Sequence, residues 1–169
     1  MACAHGAQNP LEVKKPETMD IQKEAEFVDD GLSEGSLKNG LRWAFASRPG
    51  SGVVALQAWV GVGSVHENSG EEGMAHLHEH MLFKRTENLG PGDLDRRVAE
   101  LGGEVNAWTS YDETVYHLLL PANAFDEGLR LLREMVVSAR FGVDDLRAEK
   151  EVVVEEIRDS EDDPRQRLS

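Results

Sequence analysis

Gly73-Met74-Ala75-His76-Leu77-His78-Glu79-His80-Met81-Leu82-Phe83 is the stretch around which the chain is organised. Wound as a helix at about 100° per residue, it divides into two faces. Met74, Leu77 and Met81 form an apolar packing stripe on one side, and His76 and His80 lie on the other, one turn apart, with Glu79 beside them. Side chains four positions apart have Cβ atoms roughly 6 Å from each other, so two imidazoles can reach one metal ion. Glu79 is then held near the place where a water on that ion would sit. The spelling H-x-x-E-H reverses the commoner H-E-x-x-H zinc pattern. The competing reading is an amphipathic helix whose polar face happens to carry these residues, since chance gives the pattern in on the order of a few per cent of such chains. His78 falls on the side of Met74, Leu77 and Met81, so it reads as a packed histidine or one standing behind a ligand.

Length and composition bound what can surround this helix. A chain of 169 residues, 40% of them apolar, makes one domain with a real core. The formal charge of −14 argues against a nucleic-acid or anionic-membrane partner, both of which need a basic surface. Much of the acidity lies in Asp144-Asp145 and between Glu149 and Asp163, either as a solvated helix face or as a surface suited to basic peptides. Cys3 is the only cysteine, which rules out an internal disulfide and a thiolate metal cluster. No apolar run approaches the roughly 18 residues of a membrane span. The N-terminus shows no charged and apolar leader, and the default compartment is the cytoplasm. Met1-Ala2-Cys3-Ala4-His5 nevertheless resembles the residues around a bacterial lipoprotein cleavage site with its leader missing, which would make the protein periplasmic or lipid-anchored.

Residues 1–24 are polar, carry Pro10 and Pro16, and read as a flexible tail before a domain over residues 25–169. Asn39-Gly40 is a turn between short strands, and Pro49-Gly50-Ser51-Gly52 is another turn. Val53 to Val62 reads as a buried strand, because its apolar sequence is nearly continuous. Gly61, Gly63, Gly70 and Gly73 mark a loop that delivers the chain to the histidine helix. A loop from Asn88 to Gly92 precedes a short helix from about Asp93 to Leu101, ended by Gly102-Gly103. Glu104 to Ser110 and Thr114 to Leu120 pair as antiparallel strands, the second stopped by Pro121. Ala124 to Ala139 is an amphipathic helix presenting Leu129, Leu132, Met135 and Val136, and a last helix runs from about Val143 to Asp159. This order predicts an α+β fold, an antiparallel or mixed sheet covered by helices on one face.

Two histidines do not complete a tetrahedral site; a catalytic zinc usually takes three protein ligands and a water. In the last helix Leu146, Val153 and Ile157 define an apolar stripe, while Glu151, Glu155 and Asp159 lie opposite and are solvated. Glu149 and Glu156 lie on one flank of the stripe, about two turns apart. A carboxylate at the edge of a buried face needs a cation, a donor or a metal to offset its desolvation. That makes Glu156 a ligand candidate with Glu149 behind it, and a salt bridge to an arginine the alternative.

With both helices read, the chain resembles the pitrilysin/insulinase (M16-type) family of zinc metallopeptidases, the inverzincins. The resemblance runs from about Leu37 to the end: Asn39-Gly40-Leu41, Gly63-Ser64 with Glu67, the whole of Gly73 to Phe83, Gly102 to Thr109, then Asp112, Thr114, Tyr116, Glu149-Lys150 and Val152 to Ile157. The family's distal ligand falls on Glu156, with 75 residues (156 − 80 − 1) between it and His80. The resemblance implies a metallohydrolase-like half-domain in which His76, His80 and Glu156 bind one zinc per chain. It makes Glu79 the general base and Glu149 a support for the site. Asn106 and Ala107, on a strand similar to the family's substrate-binding edge, would lie alongside a peptide substrate that adds as an extra strand. The implied activity is metalloendopeptidase hydrolysis by a zinc-activated water.

Two departures from the family pattern stand out. His78 replaces a usually apolar residue without touching the ligands. The family also pairs homologous domains that close on the substrate, a later one supplying an arginine and a tyrosine. Here Asp163-Pro164 reads as the start of a further helix, yet the chain stops at Ser169. The expectation is a first domain incomplete at its C-terminal end, weakly active alone, with a second half-domain in cis or in trans. A catalytically silent partner subunit or binding module is the alternative. S-ribosylhomocysteine lyase also uses H-x-x-E-H but needs cysteines within its fold, which Cys3 in the tail does not supply.

Overall fold

The computed structural model describes residues 26–28 and 31–162, with side chains from 31 to 158. The tail expected over residues 1–24 and the helix start expected at Asp163-Pro164 lie outside the described residues. The chain divides into two compact units, residues 1–49 and 50–169.

In the first unit, β1 (Glu26–Val28), β2 (Leu32–Ser36) and β3 (Arg42–Ala46) form an antiparallel sheet in that order. The Asn39-Gly40 turn links β2 to β3 as expected. Gly40 takes a φ of 87°, its N–H donates to the Leu37 carbonyl at 2.9 Å, and Asn39 Oδ1 accepts the Leu41 N–H at 3.1 Å.

The second unit holds β4 (Val53–Val60), β5 (Glu104–Thr109) and β6 (Thr114–Pro121), antiparallel in the order β4-β6-β5. Its helices are α1 (Met74–Leu82), α2 (Asp93–Glu100), α3 (Phe125–Val137) and α4 (Val143–Asp162). The central strand β6 turns Tyr116, Leu118 and Leu120 toward the helices, opposite Leu56 of β4 and Val105 and Ala107 of β5. Helix α3 lies on β4 and β6, α1 and α2 lie on β5, and α4 packs on α1. Leu94, Val98, Leu131, Leu132 and Met135 close the core from the helical side. The fold is therefore α+β, with helices over one sheet face.

Three expectations about packing change. First, β4 is half-buried, not buried: Leu56 alone is enclosed, while Val53 and Trp59 are 52% and 59% exposed. β4 is an edge strand with one face under α3, and a run of apolar residues cannot reveal that. On the other face Val115 is fully buried between its partners Trp59 and Trp108, whose rings meet edge to face at 6.1 Å. Second, the buried line of α3 is Gly128, Leu131, Leu132 and Met135, and Leu129 is exposed. Third, the stripe of α4 is buried at Val153, while Leu146 and Ile157 are exposed; Met74 at the start of α1 is exposed as well.

Candidate metal centre

Helix α1 is set in place from its N-terminal side. Gly73 precedes it in the left-handed conformation, with φ of 86°. The carboxylate of Glu67 accepts the Gly73 N–H at 2.9 Å and the Ala75 N–H at 2.7 Å. It thereby satisfies two orphan donors and places a negative charge at the positive end of the helix dipole. Glu67→Ala is expected to lower stability by roughly 1–2 kcal/mol, read by chemical denaturation, with Glu67→Gln keeping part of the loss.

Helices α1 and α4 run antiparallel, with Ile157 near Gly73 at one end and Asp145 paired with Arg85 at the other. This brings the expected ligands together. His76 Nε2 and His80 Nε2 are 3.1 Å apart, and Glu156 Oε2 is 3.6 Å from the first and 3.5 Å from the second. Donors around a tetrahedral zinc with bonds of about 2.05 Å lie about 3.3 Å from one another. The observed triangle has that size. All three side chains keep partial access to solvent, at 34%, 20% and 49% for His76, His80 and Glu156. Among the described residues this is the group of histidines and carboxylates fit to hold a metal ion.

Glu149 lies behind the triangle and is buried. Its Oε2 accepts from His80 Nδ1 at 3.1 Å, which puts the ring proton on Nδ1 and leaves the Nε2 lone pair for a cation. Its Oε1 meets Lys84 Nζ at 2.6 Å.

Glu79 is buried on the neighbouring side of α1, where the Thr109 hydroxyl of β5 donates to its Oε2. Burial, and after it the Glu79 carboxylate, push the Tyr116 phenol above its ordinary pKa. Thr114, 3.4 Å from Thr109, donates to the Val62 carbonyl at 2.9 Å.

Asn106 and Ala107 lie on β5, the sheet edge that β6 pairs on one side. The Ala107 N–H donates to its neighbour's Asn106 Oδ1 at 2.8 Å. His78 departs from its expected role: it is exposed, with its ring on Phe141 at 5.5 Å, and its desolvated part lowers its pKa. The geometry gives it no contact with the ligand triangle.

Sequence reading passed over Lys84 and gave Thr109 and Glu67 no role. Lys84 stands four residues after His80, the spacing that puts two helical side chains on one face. Thr109 shares the pleat side of Ala107, two residues on, so strand alternation aims it toward α1. Glu67 carries no such pattern; its cap depends on a loop path that only the folded chain defines.

The family model for insulinase (Peptidase family M16) matches residues 42–169. A Mycobacterium leprae (strain TN) protein named as an uncharacterized zinc protease is 34% identical over 138 residues, 82% of this chain and 31% of its own length. The zinc protease PqqE of Helicobacter pylori is 37% identical over 124 residues, 73% of this chain and 28% of its own. The crystal structure of a protease from Helicobacter pylori superposes with a TM-score of 0.77 at 34% identity, covering 81% of this chain and 33% of that one. The chain thus spans about a third of the length of the relatives it matches. No helix among the described residues is long and apolar enough to cross a membrane. By the family match, the shared sequence and the shared fold, this chain belongs to the insulinase family, peptidase family M16.

Proposed function

We propose that this chain is the zinc-carrying half of a metalloendopeptidase, with His76, His80 and Glu156 holding one zinc ion and Glu79 as general base. The observation that carries the reading is the triangle of two imidazole nitrogens and a carboxylate oxygen, 3.1 to 3.6 Å on a side. A zinc ion bound there supplies a Lewis acid that polarises a peptide carbonyl and acidifies water. The chain's own groups do the rest. Glu149 keeps the His80 ring turned so that Nε2 faces the ion. Glu79 accepts a proton from the attacking water on its carboxylate and hands it to the leaving amine, while Thr109 fixes the carboxylate rotamer.

The substrate is a peptide in extended form, laid along the free edge of β5. Asn106 Oδ1, which accepts the Ala107 N–H at 2.8 Å, stands where a substrate carbonyl would accept it. Because Thr109 of the same strand holds Glu79, a peptide seated on that edge runs beside the base. A second, homologous half-domain, in cis or in trans, closes the other side of the cleft and supplies the donors for the developing oxyanion. The share of about a third of the relatives' length supports this part of the reading.

Metal analysis of the purified chain tests the ligand set. One zinc per chain is expected in the wild type and well below one in His80→Ala and in Glu156→Ala. Unchanged zinc in both variants would overturn the assignment.

A further inference from the structure

Glu149 is one of two buried carboxylates among the described residues, and each of its oxygens has a different kind of partner. Oε2 faces His80 Nδ1 at 3.1 Å and Oε1 faces Lys84 Nζ at 2.6 Å. The Glu149 side chain is 9% exposed and that of Lys84 34%, so the lysine reaches inward from the solvent edge. Lys84 follows the last turn of α1, its own N–H bonded to the Met81 carbonyl at 3.2 Å, where the negative end of the helix dipole favours a cation. Histidine, glutamate and lysine therefore form one line across the α1–α4 contact. His80 lies in the last turn of α1, Lys84 just beyond the end of that helix, and Glu149 on α4.

We infer that Lys84 is a positioning residue of the metal centre: it anchors the Glu149 carboxylate, which in turn holds the His80 ring in its ligating orientation. This rests on the zinc-site reading above. Without Lys84 the buried Oε1 has no charged partner. The carboxylate can then turn about its side-chain torsions or swing toward the ion, and His80 loses the fixed acceptor that sets its ring angle. The Arg85 hydrogen bond chiefly, and the Lys84 charge to a lesser degree, hold the Asp145 carboxyl below its ordinary pKa, so a purely structural contribution of Lys84 has to be separated from the one through Glu149.

The experiment measures zinc affinity of the metal-free chain by competition with a chromophoric chelator. The variants are Lys84→Met, Lys84→Arg, Glu149→Gln, and Lys84→Met combined with Glu149→Gln. Loss of a group that orients a metal ligand typically costs 10- to 100-fold in affinity. Lys84→Met is expected to weaken zinc about 10-fold, near the low end of that range, because it stands one step further out. Lys84→Arg should recover most of the loss, since it restores a cation to Oε1. In the Glu149→Gln background the same Lys84→Met change should cost less than about 2-fold, because the route through the carboxylate is gone.

Zinc affinity of Lys84→Met equal to wild type, or an equal loss in both backgrounds, would overturn the inference while leaving the zinc site intact. A wild-type chain that binds no zinc overturns the zinc-site reading itself. Circular dichroism of the metal-free proteins identifies any variant that does not fold, and Lys84→Gln then takes the place of Lys84→Met.

Discussion

Glu79→Gln is expected to leave zinc bound and to cost peptide turnover roughly 10²- to 10⁴-fold. Glutamine keeps the length and the acceptor oxygen to which the Thr109 hydroxyl donates, so the side chain should stay where it is. On the proposed mechanism, what it loses is the ability to carry a proton from water to the leaving amine. The buried position makes the comparison clean, because a neutral amide there needs less solvation than a carboxylate and the fold should not suffer. A fluorogenic peptide assay with metal analysis in parallel checks it, a complementary half-domain being supplied where the wild type needs one. Retained turnover would mean that another group takes the proton. Lost zinc would mean that Glu79 is a ligand.

Gly63→Ala is expected to lower stability by about 3 kcal/mol, because the backbone leaves its methyl group no room. A Cβ at that position would stand 2.3 Å from the Ser110 carbonyl oxygen, 2.5 Å from that of Tyr111 and 2.7 Å from the Glu113 nitrogen. All three are backbone atoms and none can swing aside. The same close approach carries the hydrogen bonds from Ser64 N–H to Ser110 O and from Val65 N–H to Tyr111 O, at 3.1 and 2.9 Å. A shift here would break both and displace the segment that leads through Glu67 into α1. Gly61→Ala is the control: nothing lies within 4 Å of its would-be Cβ, and stability should change by less than about 0.5 kcal/mol. Denaturant melts of the two variants decide the point, and equal midpoints would show that the Gly63 contact is not tight in solution.

How much of this was legible in the chain depends on the range of the interaction concerned. Helix α1, the Gly102 stop of α2 and the β5–β6 hairpin follow from local spacing and turn residues, and each lies within a residue or two of its expected limits. Glu156 could be singled out because helical geometry sorts carboxylates by face, and it does meet His76 and His80. Helical geometry did not give depth. Glu149 and Glu156 share a flank, yet one is buried and the other exposed, because α1 covers only part of α4. The same limit explains β4, where Val53 and Trp59 look like core and lie at the surface. His78 misled for a related reason: of the side of α1 it shares with Met74 and Met81, only Met81 is buried, while Met74 and His78 are exposed and His78 meets just the Phe141 ring.

The triangle of His76, His80 and Glu156 draws two of its corners from α1 and the third from α4, with 75 residues between His80 and Glu156. An ion at its centre would act as a removable crosslink between the two helices, tying a distant segment back on itself as a disulfide would, but reversibly. Its binding energy then becomes folding energy for the far end of α4, where Ile157 and its neighbours are otherwise half exposed. Loss of such an ion would then be felt as a loosened helix end as well as an empty triangle.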